Sequence, residues 1–307
     1  MTEKPFDKRS YFALALDPIH VGTGGYRLGR VDMGIVREPG TNVPKIPGTS
    51  LSGACRTYAT MQHPDKWPHC AGQGQARDEH YKGHCGDANC PICVSFGFSK
   101  GEGGSFQGLA QFSDARLVLF PVHSLAGPVW VTCPSVLRDM GRTTTAPADT
   151  QVQVVDDIQV NERLNLGWVM LDAKPDFSLP LPDIPQDILN RAVLVSDKLF
   201  SHIVNDNLEV RTSVSIDPMT GAASDGALFT YEALPRSSVL AFDVIASDPQ
   251  FYKIQGQTPS VQVQETVESG LRLFESLGVG GMNTRGMGRL KVLGFEVKEV
   301  SNDNAKS

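Results

Sequence analysis

Tyr11-Phe12-Ala13-Leu14-Ala15-Leu16 runs through Asp17-Pro18-Ile19 into His20-Val21-Gly22-Thr23-Gly24-Gly25. The first stretch has the alternation of a half-buried strand, and the second reads as a glycine-rich loop. Working outward, Val31 to Arg37 is expected to form a second strand, stopped by Pro44-Lys45-Ile46-Pro47-Gly48. Thr49 or Ser50 then caps a helix with Leu51, Ala54, Cys55 and Tyr58 on one face. Further strands are expected over Leu109 to Phe120, Val129 to Thr132, Val239 to Ile245 and Leu290 to Val297. Leu208 to Ile216 and Ala227 to Ala233 flank Asp217-Pro218-Met219-Thr220-Gly221 and Ser224-Asp225-Gly226, the turn chemistry of a long hairpin. Val261 to Leu277 is expected to be helical, because Val263, Val267, Leu271, Phe274 and Leu277 recur at threes and fours. This order suits a ferredoxin-like α+β sheet, whereas a doubly wound fold needs more regular alternation of strand and helix.

Composition excludes several classes. The chain has 307 residues, of which 40% are hydrophobic and 20% charged, so it is expected to be globular rather than disordered. No apolar stretch approaches the ~20 residues of a membrane helix, and MTEKPFDKRS lacks a signal-peptide core, so a cytoplasmic location is expected. The net charge of -6 argues against a uniformly basic nucleic-acid binder. The first 60 residues nevertheless carry eight Lys/Arg against five acids, and Arg285, Arg289 and Lys291 form a second basic spot. Local strips of this kind can bind phosphate on an acidic protein, because screening acts over only ~8 Å. A solvated mixed surface fits the same charges.

Cys70, Cys85, Cys90 and Cys93 lie close together, the last two as Cys90-Pro91-Ile92-Cys93. Such a knuckle lets two thiolates reach one tetrahedral ion, and a structural zinc held by these four cysteines is expected. His69, His80 and His84 are possible substitutes for one thiolate. Four thiolates leave no open coordination position, which argues against a free-standing metalloenzyme centred there. Residues 63–107 around them show no periodicity and read as an insertion ordered by the metal. Residues 139–187, acidic and Pro-rich, read as an irregular elaborated loop region. Cys55 and Cys133 are isolated and are expected in the core.

Gly280-Gly281-Met282-Asn283-Thr284-Arg285-Gly286-Met287-Gly288-Arg289 follows a helix and precedes a strand, the reverse of a dinucleotide-binding fingerprint. No Gly-Lys-Ser/Thr closes a P-loop. Glycines beside arginines instead allow close approach to a phosphate chain, although plain turns look the same.

Several segments together resemble the RAMP superfamily, specifically the backbone subunit of type III CRISPR effector complexes. They are His20-Val21-Gly22-Thr23-Gly24, Val31-Asp32 with Ile35-Val36-Arg37-Glu38, Ile46-Pro47-Gly48-Thr49-Ser50-Leu51-Ser52-Gly53 through Arg56, Phe112-Ser113-Asp114-Ala115 with Pro121-Val122, Asp225-Gly226-Ala227-Leu228-Phe229, Glu232 with Leu234-Pro235, and the loop from Gly280 to Gly288. The match is nearest the Cmr (type III-B) backbone subunit, with the Csm (type III-A) counterpart second. The resemblance implies one RAMP domain over 1–307, a ferredoxin-like, RRM-related palm, and a β-hairpin thumb over 208–234. It implies stacking of copies along a CRISPR guide RNA, each thumb displacing one base pair of the guide–target duplex. Complementary target RNA is then cut beside each displaced base, with a divalent metal (Mg or Mn). The implied partners also include the large polymerase-like and small subunits of the complex, and no membrane. A catalytically idle, purely structural guide-binding subunit is the competing reading.

Asp32 matches the acidic residue that this family uses for cleavage; without the match it reads as a surface Asp accepting backbone hydrogen bonds. His20 and Glu232 are secondary catalytic candidates, with a local hydrogen-bonding His and a solvated strand Glu as the plainer readings. RNA contacts are expected from Arg37, Ser50, Arg56, Met219, Gly281, Arg285 and Arg289. For Ser50 and Arg56 the physical reason is the helix N-terminus, whose amides at Thr49 to Leu51 can receive a guide phosphate with Arg56 beside it. An ordinary surface ion pair is the alternative for Arg56. Met219 is an apolar wedge on the hairpin turn, or simply an exposed turn residue.

Overall fold

From Tyr11 onward every second residue of Phe6–Ala15 is buried, namely Tyr11, Ala13 and Ala15, and this period of two makes the segment a strand. The structure is a computed structural model describing residues 4–24, 31–72, 83–99, 104–224 and 227–295. Its strands in chain order are β1 (Phe6–Ala15), β2 (Lys45–Ile46), β3 (Phe98–Ser99), β4 (Ser105–Phe106), β5 (Ala110–Phe112), β6 (Ala115–Val122), β7 (Val129–Thr132), β8 (Gln151–Val154), β9 (Arg163–Leu166), β10 (Val169–Lys174), β11 (Ala192–Leu194), β12 (Glu209–Ser213), β13 (Phe229–Ala233), β14 (Val239–Ser247) and β15 (Leu290–Val292). The α-helices are α1 (Gly48–Met61), α2 (Pro91–Phe96), α3 (Pro134–Asp139), α4 (Gln186–Leu189), α5 (Asp197–Asp206), α6 (Val263–Arg272) and α7 (Phe274–Leu277).

The fold is mixed α+β around an 11-stranded sheet ordered β15-β1-β14-β6-β7-β11-β8-β10-β9, with β2 added on β6 and β5 on β14. Strand β1 pairs antiparallel with β14 from Phe6↔Ser247 to Leu14↔Val239, and with β15 from Ala13↔Val292 to Ala15↔Leu290. Strands β12 and β13 form a separate two-stranded hairpin. Helices α1 and α6 pack against each other, burying Leu51 and Cys55 with Val267 and Leu271. Their approach requires glycine at 270, since a Cβ there would lie 2.3 Å from the Cys55 carbonyl oxygen. No helix among the described residues is long and apolar enough to cross a membrane.

Three sequence expectations need correction. Val31 to Arg37 forms no strand: its alternate residues pair singly with three partners, Met33↔Tyr231, Ile35↔Gly22 and Arg37↔Pro44, so no continuous ladder builds. Neither Thr49 nor Ser50 caps α1. Pro47 is the N-cap, and the free Gly48 amide donates to Asp114 Oδ1 at 2.8 Å. The 139–187 stretch is not a loop region, because β8, β9 and β10 extend the main sheet with Val152, Val154, Leu164, Leu166 and Leu171 buried. Its Asp and Pro residues lie mostly in the connections, where they mask short strands.

The hairpin strands are shorter than expected, and the chain continues past them through the Ile216↔Ala223 bridge to a turn closed by Gly221 N to Asp217 O at 2.8 Å. Within 63–107, Cys70, Ala88, Cys90, Ile92, Cys93, Val94 and Phe98 share a small apolar cluster with Ala59, Leu109, Ala246, Ile254 and Val263, so these residues pack onto the body. Gly25, His80, Asp225-Gly226 and the expected end of the last strand at Val297 lie outside the described residues.

Candidate functional site

The segment after the first glycine loop runs along the root of the β12–β13 hairpin. Met33 N donates to Thr230 O at 3.1 Å, and Glu232 N donates to Met33 O at 3.0 Å. This seam sets Asp32 against Thr230: the Thr230 amide and hydroxyl both donate to Asp32 Oδ2, at 2.7 and 2.9 Å, and the Asp32 amide donates to Thr230 Oγ1 at 3.2 Å. These donors, the amide foremost and the hydroxyl next, hold the Asp32 carboxyl below the usual carboxylate range. The side chain is therefore an anion at neutral pH, at an exposed position.

Glu232 lies two residues along β13 from Thr230, hence on the same face. Its Oε2 accepts from Arg37 Nη2 at 2.7 Å, with the side chains only 14% and 21% exposed. Arg37 also donates through Nη1 to Asn205 Oδ1 on α5. Glu232 is thus committed to a mostly buried ion pair rather than solvated, and Arg37 is already partnered.

His20 is 3% exposed. Its Nδ1 lies 2.6 Å from the Glu232 carbonyl oxygen, so that nitrogen is the donor, and its ring meets Tyr231 edge-on at 6.0 Å. The second glycine loop closes over it: Gly281 N donates to His20 O at 2.8 Å, and a Cβ on Gly280, at φ +89°, would lie 2.5 Å from that oxygen. Glycine at 280 is required by the approach of the chain to its own His20. Arg285 in the same loop reaches the hairpin, with Nη1 3.5 Å from Ser213 Oγ and its guanidinium 5.6 Å from the Phe229 ring centre.

The structure thus gathers Asp32, His20, Glu232, Arg37, Gly281 and Arg285 around one hairpin root. The other candidates lie elsewhere. Met219 is 91% exposed at the hairpin turn. Arg289 is held by Asp17 through two hydrogen bonds, at 2.6 and 2.9 Å. Ser50 and Leu51 amides both bond the Pro47 carbonyl, at 2.9 and 3.2 Å, leaving less of the α1 N-terminus for a phosphate than the sequence suggests. Arg56 turns inward, donating to Cys70 O at 2.8 Å and Phe96 O at 3.3 Å.

The four cysteines of the insertion form a second centre. Their Sγ atoms all lie within 4.8 Å of one another, with Cys85–Cys93 at 3.6 Å, Cys70–Cys93 at 3.7 Å and Cys70–Cys90 at 4.0 Å. Thiolates around a tetrahedral ion with ~2.3 Å bonds stand about 3.8 Å apart, so the cluster fits one. The local sequence explains the preorganisation: Cys90 is the N-cap of α2, Pro91 starts the helix, and Cys90 Sγ accepts from Cys93 N at 3.4 Å. The contact with Cys70 lowers the Cys85 thiol and raises that of Cys93. Sulfurs this close do not all ionise without a cation between them. His84 is not part of the cluster; its Nδ1 accepts from Ser99 N at 3.2 Å. Among the described residues no other group of three or more metal-ligating side chains comes together.

The family model of the RAMP superfamily matches residues 13–291. The chain belongs to that superfamily. It is 27% identical over 320 aligned positions to the protein of Pyrococcus furiosus named CRISPR system Cmr endoribonuclease Cmr4, covering 94% of this chain and 95% of that one. A chain of the type III-B Cmr-beta complex bound to cognate target RNA superposes with a TM-score of 0.66 at 15% identity, covering 94% and 98% of the two chains. Oligomeric Cmr4 from Pyrococcus furiosus superposes with a TM-score of 0.57 at 20% identity, over 94% and 98%. These two likenesses establish the fold. In this RAMP chain the residues that sequence reading overlooked are partners rather than site residues: Thr230 under Asp32, Asn205 under Arg37, Asp17 under Arg289, and Asp114 under the α1 N-terminus. Each is remote in sequence from its mate; Asp114 stands in the segment Phe112-Ser113-Asp114-Ala115 that carries the resemblance, and Thr230 shares a strand face with Glu232.

Proposed function

We propose that this chain is the backbone subunit of a type III-B CRISPR ribonucleoprotein, stacked with copies of itself along a guide RNA, and that it cuts complementary target RNA at regular intervals. The observation that carries the reading is twofold in space but single in sequence: a relative named as a Cmr endoribonuclease aligns across nearly the whole of both chains, and Asp32 in this chain sits at the hairpin root. The whole chain acts as one RAMP domain, with 208–234 as its thumb and 63–107 and 139–187 as insertions. The part of the sheet ordered β15-β1-β14-β6, with α1 and α6 packed beside it, serves as a ferredoxin-like palm. Guide contacts are sequence-independent, and base pairing supplies specificity. The other subunits of the complex, large and small, are its remaining partners.

The chemistry proposed is attack of the RNA 2′-oxygen on the adjacent phosphorus. The O2′–P bond forms and the P–O5′ bond breaks, leaving a 2′,3′-cyclic phosphate and a 5′-hydroxyl. A hairpin that unstacks one nucleotide frees the backbone to bring these three atoms into line. Asp32 enters this step as an anion whose Oδ2 is occupied by Thr230 and whose Oδ1 takes no hydrogen bond from that residue. That oxygen takes the 2′-hydroxyl proton or holds a divalent ion, and O5′ takes its proton from solvent. Mg or Mn fits such a place, since these ions bind through one or two carboxylates together with substrate phosphate and water. A bound ion supplies charge neutralisation at the phosphate. His20, buried against the Glu232 carbonyl, and Glu232, paired with Arg37, shape the root around Asp32. In the insertion, zinc is the ion whose bond length and preferred ligands match four clustered thiols, and its role is structural.

The test is Asp32→Ala in a complex reconstituted with guide RNA and supplied with Mg or Mn. Guide loading, stacking and target binding persist while cuts at regular spacing disappear. Undiminished cutting overturns the assignment, and intact target with the wild-type complex favours a purely structural subunit.

A further inference from the structure

Thr230 meets Asp32 through three hydrogen bonds, and its hydroxyl works in both directions. The Asp32 amide donates to Oγ1 at 3.2 Å, while Oγ1 donates to Asp32 Oδ2 at 2.9 Å and the Thr230 amide donates to the same oxygen at 2.7 Å. The Thr230 carbonyl is engaged too, by the Met33 amide at 3.1 Å. Residues 32 and 33 thus grip one hairpin residue by its amide, hydroxyl and carbonyl.

Two donors on Oδ2 fix the plane of the carboxylate and leave Oδ1 as its outward atom. Without them a short side chain at an exposed position would sample several rotamers. We infer that Thr230 is a positioning residue for target cleavage: its hydroxyl, carried on the hairpin, aims the Asp32 carboxylate at the displaced nucleotide. This rests on the proposed function of Asp32 and adds that the aim comes from the hairpin rather than from the loop bearing Asp32. Because the hydroxyl both accepts and donates, serine can replace it and valine cannot. Valine keeps the β-branched shape of a strand residue and the amide bond to Oδ2, yet leaves the Asp32 amide unpartnered.

The experiment compares wild type, Thr230→Val, Thr230→Ser and Asp32→Ala in complexes assembled on one guide RNA, measuring single-turnover cleavage, target affinity and guide loading. Loss of one hydrogen bond to a charged group corresponds to a fall of about 10- to 100-fold in the cleavage rate of Thr230→Val. Thr230→Ser is expected within about threefold of wild type, and target affinity and guide loading stay unchanged in both. Wild-type cleavage by Thr230→Val beside an inactive Asp32→Ala overturns this inference and leaves the function of Asp32 standing. Full cleavage by Asp32→Ala overturns the parent reading. Serine as slow as valine, or lost target binding in Thr230→Val, makes Thr230 a residue of hairpin structure only and equally overturns the positioning role.

Discussion

Arg56 Nε donates to the carbonyl oxygen of Cys70 at 2.8 Å, tying the middle of α1 to the thiol centre. Burial lowers the pKa of the guanidinium, and the neighbouring cysteines offset part of that effect. With a divalent ion and four thiolates the centre carries a net charge of about -2, and Arg56 neutralises part of it. Replacing Arg56 by alanine should therefore act on the isolated subunit. We expect a loss of about 1–3 kcal/mol in stability and faster metal release to a chelator, read by urea denaturation and a colorimetric metal assay.

Cys90→Ser removes one of the four clustered sulfurs, the one that accepts the Cys93 amide. On the zinc site proposed above, the purified variant should carry less metal than wild type by elemental analysis. Its thermal midpoint should fall, with 83–99 becoming the first segment to exchange amide hydrogens.

Gly270→Ala places a methyl group 2.3 Å from the Cys55 carbonyl oxygen and 2.8 Å from its sulfur. Backbone cannot yield as a flexible side chain does, so α1 and α6 must separate. The usual gain in helix propensity from glycine to alanine should be reversed, with a net loss of about 1–3 kcal/mol in chemical denaturation.

Glu232→Gln leaves the Arg37 guanidinium mostly buried without its anion. A cost on the order of 2 kcal/mol follows from comparable broken pairs, discounted for the exposure that remains. Double substitution with Arg37→Met should recover part of it, and a double-mutant cycle measures the coupling.

Acid should weaken the fold through Asp17. The two hydrogen bonds from Arg289 lower its pKa in the folded chain, so the unfolded chain binds the proton more readily. The contribution is complete above the unfolded value near pH ~4 and is lost as pH falls through the lower folded value. Thermal midpoints measured from pH 7 to pH 3 should drop less steeply below about pH 4 in Asp17→Asn than in wild type.

Much of the architecture could be read from local pattern. The alternation in Tyr11–Ala15, the helix from Gly48 and the run Val129–Thr132 each follow from residues within one element. Cys90 and Cys93 face one another because Cys90 and Pro91 build the start of a helix, a local feature legible in the sequence. What escaped depends on separation in the chain. Asp114 replaces a local cap on α1 from 66 residues away, and Thr230 binds Asp32 across 198. Val31 to Arg37 has the composition of a strand, but its neighbours offer single bridges in three directions. Helix α5 did carry a legible signal, with Ser196 as its cap and Phe200, Ile203 and Val204 on its buried face. At the site, the residue types were visible and their second partners were not.

Cys70 and Cys85 come within 4.8 Å although fifteen positions separate them in the chain. Holding both ends of a stretch together closes a loop, and enlarging a closed loop costs only ~0.6 kcal/mol per doubling. The spacing between these two cysteines can therefore be lengthened at little cost in closure entropy.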